Sequence, residues 1–187
     1  MEISVTDLAI PDVKLIASAP FKDARGFLAE TYRRDDFAAL GIDCEFVQDN
    51  LSGSSAAGTV RGLHFQIAPY AQAKLLRVTR GRIFDVCVDL RRSSPTYGRH
   101  VAIELGADSG VRQLYIPVGF AHGFCTLEPN TEVFYKVSNV YSPAHERSLF
   151  WADPALGIAW PVGVQEAVLS ERDKSAPPLA SLGGHFA

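Results

Sequence analysis

The chain has 187 residues, a length that suits one domain, since single cores run to about 100–200 residues before splitting. With 47% hydrophobic, 21% charged and 10% aromatic residues, intrinsic disorder, collagen-like repeats and coiled coil are excluded. Eighteen Lys and Arg against 21 Asp and Glu give a net charge of -3, which argues against a general polyanion binder, so any anionic ligand must be met by a local basic cluster.

One domain over 1–187 is expected, with its core at about 20–165 and a C-terminal segment, 166–187, that packs or extends. No apolar run approaches the about 18–20 residues of a membrane span, and Met1-Glu2-Ile3-Ser4 lacks the basic start of a secretory signal. The expectation is a cytoplasmic protein with no membrane or nucleic-acid partner. Three cysteines, Cys44, Cys87 and Cys125, without CxxC spacing predict small buried residues rather than a disulfide framework or zinc ribbon.

In chain order, the first candidate element is a short helix at 37–40, capped by Asp35 or Asp36 and closed by Gly41. From 43 to 151 a period of two dominates, broken by Gly, Pro, Ser or Asn every 8 to 12 residues or so. Segment 74–79 is predicted to pair with 82–90 through Arg80-Gly81 as a hairpin. In 82–90, Phe84, Val86, Val88 and Leu90 share a core face, while Asp85 and Asp89 lie on the other. Strands at 99–105, 112–116, 123–127 and 131–137 follow, and a turn or two of helix after 164. The tail, with Pro177-Pro178 and Gly183-Gly184, reads as extended and partly mobile. Eight or more short strands with few helices must close on themselves or pair two sheets, so the fold class is all-β, a sandwich or barrel.

Two polar concentrations stand out. Gln48 and Asn50 face one way on one strand, His64 and Gln66 on another, and adjacent pairing would line a pocket with them. The other is Pro117-Val118-Gly119-Phe120-Ala121-His122, whose PxGxxH pattern resembles the second motif of the cupins, with their double-stranded β-helix (jelly-roll) core. His64 then falls in the first motif, where Gln66 stands in place of a ligand; glutamine binds divalent transition metals poorly, so no metal is expected.

Taken together, the segments DARGF (23–27) with Glu30, QDN (48–50), RGLHFQ (61–66), QAK (72–74), VDLRRSSPTYG (88–98), IPVGFAHGF (116–124), TEVFYK (131–136), YSPAHE (141–146), DPxLxIxWP (153–161) and LSxxD (169–173) resemble the dTDP-4-dehydrorhamnose 3,5-epimerase family. The resemblance covers about residues 20–179. It implies a cupin jelly roll with a few short helices and inversion of C3 and C5 of dTDP-4-keto-6-deoxyglucose through an enolate, with no cofactor, in dTDP-L-rhamnose synthesis. By position, His64 matches the base, Asp173 the carboxylate that orients it, Lys74 the cation beside the keto oxygen, and Tyr135 the acid on the other face. Imidazole's ordinary titration near neutrality suits the first role.

Arg25 and Arg61 match arginines that contact the diphosphate. Glu30, Gln48, Asn50, His122 and Glu146 match further substrate-contacting positions, and Phe21, Phe27 and Tyr141 add apolar or stacking surface. Arg172 stands where the family commonly has lysine. The resemblance also implies a homodimer with N-terminal strand exchange, which would place Arg25 and Glu30 at the neighbouring subunit's pocket. Rival readings are a 3- or 5-mono-epimerase of a deoxysugar pathway, a metal-dependent cupin oxygenase, and a non-catalytic sugar-nucleotide-binding cupin.

Overall fold

A computed structural model describes residues 2–186. Thirteen strands are present among them: β1 (Ile3–Asp7), β2 (Lys14–Ser18), β3 (Phe21–Asp23), β4 (Gly26–Leu28), β5 (Gln48–Ser54), β6 (Val60–Gln66), β7 (Lys74–Arg80), β8 (Arg82–Asp89), β9 (His100–Gly106), β10 (Val111–Ile116), β11 (Phe120–Thr126), β12 (Thr131–Val137) and β13 (Glu146–Ser148). Two short helices, α1 (Arg34–Ala39) and α2 (Glu171–Lys174), complete the set with two single 3₁₀ turns. The strands form a large sheet ordered β1-β2-β10-β7-β12-β5, a small sheet ordered β13-β6-β11-β8-β9, and a detached β3–β4 hairpin. From β5 to β8, and again from β9 to β13, each turn carries the chain from one sheet to the other, which is the jelly-roll pattern.

This crossing corrects the predicted 74–79/82–90 hairpin. β7 pairs with β10 and β12, whereas β8 pairs with β9 and β11. Gly81 does take a positive φ of 74°, but its turn is a corner between sheets. The two faces of β8 also differ from expectation. Ile83 and Cys87 join Leu76, Leu114, Phe124 and Val133 in the core between the sheets, and Asp85 and Asp89, on that same face, are fully buried. Val86 and Val88 pack instead on the outer side of the small sheet with Leu63, Phe65, Leu149 and Leu182.

The outer side of the large sheet is covered by α1, where Phe37 and Ile42 pack on Ile16 and Leu75. The helix begins earlier than predicted: Arg33 is the N-cap, without a side-chain cap, and Asp35 and Asp36 lie in the first turn, where carboxylates favour the helix dipole. Cys87 and Cys125 are buried as expected, but Cys44 is only half-buried.

The VDLRRSSPTYG segment serves as a clasp. Burial pushes the Asp89 carboxyl up, yet hydrogen bonds from Arg91, Ser94 and Thr96 outweigh it and hold the pKa at about 2. The tail is docked rather than free: Leu179, Leu182 and Phe186 pack on the small sheet's outer cluster. A fully buried side chain of this kind contributes about 1.5–3 kcal/mol, against about 1–2 kcal/mol for each residue ordered. Apolar burial alone therefore cannot hold this stretch. Hydrogen bonds from Leu179 N to Asp153 Oδ2 (2.7 Å) and from Phe150 N to Pro177 O (2.8 Å) pin it as well.

Candidate active site

Between the sheets, beyond the apolar core, lies a cavity of about 860 Å³. Its small-sheet wall is β6, whose local geometry decides which side chains reach it. On β11, His122 pairs with His64 and Phe124 with Arg61, so three steps along β6 oppose two along β11. That extra residue is a bulge at Gly62-Leu63. Simple alternation would put Arg61 and His64 on opposite faces; the bulge turns both into the cavity. Glycine is required there, because Gly62 has φ 126° and a Cβ on it would stand 2.6 Å from the Gly123 Cα.

His64 Nε2 lies 2.5 Å from Asp173 Oδ1, across 109 residues of sequence. An ionised carboxylate only accepts, so Nε2 carries a proton, and in the neutral ring Nδ1 holds the lone pair. Burial pushes the Asp173 carboxyl up, but the hydrogen bonds to His64 and Ser170 and the nearby charges win, and its pKa lies below the usual carboxylate range. Ser170 caps α2 by accepting from Asp173 N, which fixes the carboxylate's backbone. Arg172 lies over the imidazole, its Nη2 2.9 Å from Nε2 and 3.3 Å from Nδ1, and pairs with Glu146. Tyr141 also donates to Glu146, at 2.8 Å.

Lys74, at the start of β7, is half-buried and donates to His64 O at 3.4 Å. Burial pulls its ammonium pKa down to about 8, while the Asp85 and Glu146 carboxylates keep it from falling further. His122 hydrogen-bonds Asp85 at 2.9 Å. Desolvation outweighs that carboxylate and lowers the imidazole's pKa, so His122 is neutral in the cavity floor. Tyr135 projects from β12 of the large sheet, and burial raises its phenol's pKa against the pull of Arg61.

The polar amides occupy different places from those expected. Gln48 and Asn50 sit on β5 of the large sheet, His64 and Gln66 on β6 of the small one; they face each other across the cavity and are not on paired strands. Three glutamines chiefly hold the loop that carries Tyr141: Gln48 Oε1 accepts from Tyr141 N (3.0 Å), Gln66 Nε2 donates to Val140 O (3.1 Å), and Gln72 Nε2 donates to Asn139 O (2.7 Å). Arg61 reaches over to the large sheet's edge, donating to Ser54 Oγ and Gly53 O at 3.1 and 2.8 Å.

Twelve of the residues singled out in the sequence line this cavity: Gln48, Asn50, Arg61, His64, Gln66, Lys74, His122, Tyr135, Tyr141, Glu146, Arg172 and Asp173. Phe21, Arg25, Phe27 and Glu30 do not. The first three lie on or beside the exposed hairpin, where Arg25 pairs with Asp23. Sequence reasoning missed Ser52, whose buried Oγ has no partner, and the part Asp85 plays behind Lys74 and His122. The alternation of β5 would have placed Ser52 beside Gln48 and Asn50. Among the described residues no group of three His, Cys, Asp or Glu converges in a metal-ligating cluster, and no helix is long and apolar enough to cross a membrane.

A sequence profile of the dTDP-4-dehydrorhamnose 3,5-epimerases matches residues 7–181. The chain belongs to this family. It is 50% identical over 185 residues to the dTDP-4-dehydrorhamnose 3,5-epimerase of Sinorhizobium fredii, covering 99% of this chain and 94% of that protein. The crystal structure of the Bacillus anthracis dTDP-4-dehydrorhamnose 3,5-epimerase with TDP and PPi bound superposes with a TM-score of 0.90 at 46% identity, over 95% of this chain and 99% of the other. That of the Legionella pneumophila dTDP-6-deoxy-D-glucose-3,5-epimerase in complex with dTDP-4-keto-L-rhamnose gives 0.92 at 38% identity, over 97% and 95%. The fold is thus the family's cupin jelly roll.

Proposed function

We propose that this epimerase-family chain inverts both C3 and C5 of dTDP-4-keto-6-deoxyglucose by proton transfer through an enolate, with no cofactor. The observation that carries the reading is the placement of proton-transfer groups on opposite walls: the His64–Asp173 pair on the small-sheet side and Tyr135 on the large sheet. Hydrogens beside a ketone are acidic enough to remove, and inversion needs removal from one face and return on the other. His64 Nδ1 takes the proton. Asp173 holds the ring and stabilises its charged form. Lys74, half-buried and cationic, faces the oxygen on which negative charge gathers, where a partly desolvated charge acts more strongly than in water. Tyr135 O–H then delivers a proton to the other face, and exchange with solvent resets both groups. Arg172, now over His64, must move aside for substrate.

Incubation with the substrate in heavy water tests this directly. NMR should show deuterium at both C3 and C5; label at one carbon would leave a mono-epimerase, and label at neither would end the epimerase reading. The pH profile adds a second check. The working form of Lys74 is the ammonium, so kcat/KM should fall as pH rises through about 8. Asp85→Asn removes a charge that holds this pKa up, so the alkaline limb should move acidward. An unmoved limb would detach it from Lys74.

Neighbouring copies complete the site in this reading. The β3–β4 hairpin leaves Phe21, Phe27 and Leu28 at 68%, 70% and 72% exposure, and Leu51 on edge strand β5 is 66% exposed. Apolar area of this kind on an edge calls for cover. A second copy exchanging its N-terminal strands would bury it and bring Arg25 and Glu30 to the partner's cavity, Arg25 to the diphosphate.

A further inference from the structure

A second cavity, of about 460 Å³, adjoins the first and shares Glu146 and Arg172 as a common wall. It is an open cleft lined by β13, by residues 175–177 and by the docked tail at 181–185. Its charge is one-sided. Arg147 and His185 line it together with Arg172, and the Arg92 guanidinium lies against Gly184 and donates to Leu182 O at 3.4 Å. Glu146 is the sole carboxylate among the lining residues, and it is already engaged by Arg172 and Tyr141. Among the described residues, Arg92, Arg147 and His185 have no carboxylate within ion-pair distance.

The geometry is also fixed in advance. Arg147 Nη1 donates to Ala144 O and Glu146 O, at 3.0 and 2.8 Å, which pins the guanidinium and leaves Nε and Nη2 without a partner among the described residues. The His185 ring packs on Phe65, centroids 5.8 Å apart, and neither nitrogen is hydrogen-bonded among the described residues. Burial first, then the charges of Arg147 and Arg92, hold the His185 pKa below its usual value, as expected where cations crowd a half-dry space. In a chain of net charge -3, this concentration is local. An arginine fork, an imidazole and the Ser148 hydroxyl, which has no partner among the described residues, together match a tetrahedral oxyanion carrying several acceptors.

We propose that this second cavity is a binding site for a phosphate group, free or as a small phosphomonoester, separate from the sugar-nucleotide cavity. The site does not rest on the epimerase reading, whose own test is deuterium exchange at the sugar carbons. Its volume falls within the range of small-molecule sites and exceeds what bare phosphate fills.

Titration of the full-length protein with inorganic phosphate and with phenyl phosphate, followed by NMR of the His185 ring, tests it. Saturable shifts at His185 are expected at constant ionic strength. Arg147→Gln should weaken them at least tenfold while leaving dTDP affinity unchanged. Tighter binding of phenyl phosphate would assign the site to an ester, and equal binding to free phosphate. Should Arg147→Gln unfold, His185→Gln followed by ³¹P NMR replaces it, with the same loss expected. An unmoved His185 ring at millimolar ligand would overturn the proposal, as would shifts that persist in full in Arg147→Gln.

Discussion

Replacing His64 with alanine is expected to lower both deuterium exchange and epimerisation by about 10²- to 10⁴-fold, the scale of a positioned general base. The change removes Nδ1, the proposed proton acceptor, together with the Nε2 contact to the orienting Asp173 carboxylate. It also leaves Asp173, 3% exposed, without its chief partner, and a buried carboxylate so orphaned destabilises the fold. His64→Asn separates the two effects. The amide can still donate to Asp173 but takes no proton at neutral pH, so thermal stability should recover while exchange stays lost. If His64→Asn exchanges at the wild-type rate, His64 is not the base. If dTDP affinity falls in parallel with exchange in both variants, the histidine binds substrate rather than moving its protons.

The case for His64 also shows where the sequence stops being legible. β12 could be read residue by residue, because Thr131–Val137 alternates cleanly after Pro129-Asn130, with Asn130 in the left-handed turn conformation that its short amide tolerates. Alternation tells which residues share a face but not which strand lies alongside. The expected β7–β8 hairpin failed on that point, since the corner at Gly81 sends the two strands to different sheets. Parity itself fails at a bulge: Arg61 and His64 share a wall only because β6 gains a residue at Gly62. The His64–Asp173 pair spans most of the chain, and no local pattern implies such a contact; only the family's segments pointed to it. Arg25 sits at the tip of a hairpin whose strand residues are all exposed and pairs with its neighbour Asp23, so no local pattern says what it reaches.

Tyr135→Phe should separate the two half-reactions that His64 variants abolish together. Removing the hydroxyl leaves the ring's packing against the inter-sheet core, and no partner is orphaned, because the hydroxyl has none among the described residues. Stability should therefore change by less than about 1 kcal/mol. In the native site burial raises the phenol's pKa, so the proton is held until an enolate forms to take it. Without that donor the enolate still forms beside Lys74, but its nearest acid is the protonated His64 on the face that lost the proton. Return from there restores the starting configuration. In heavy water the variant should thus accumulate deuterium in unchanged substrate, within about tenfold of the wild-type exchange rate, while inverted product falls by about 10²- to 10⁴-fold. Labelled substrate with little product would be the signature of a missing second-face acid. Equal loss of exchange and inversion would instead mean that Tyr135 positions the sugar for abstraction, and the acid would have to be sought elsewhere on the large-sheet wall.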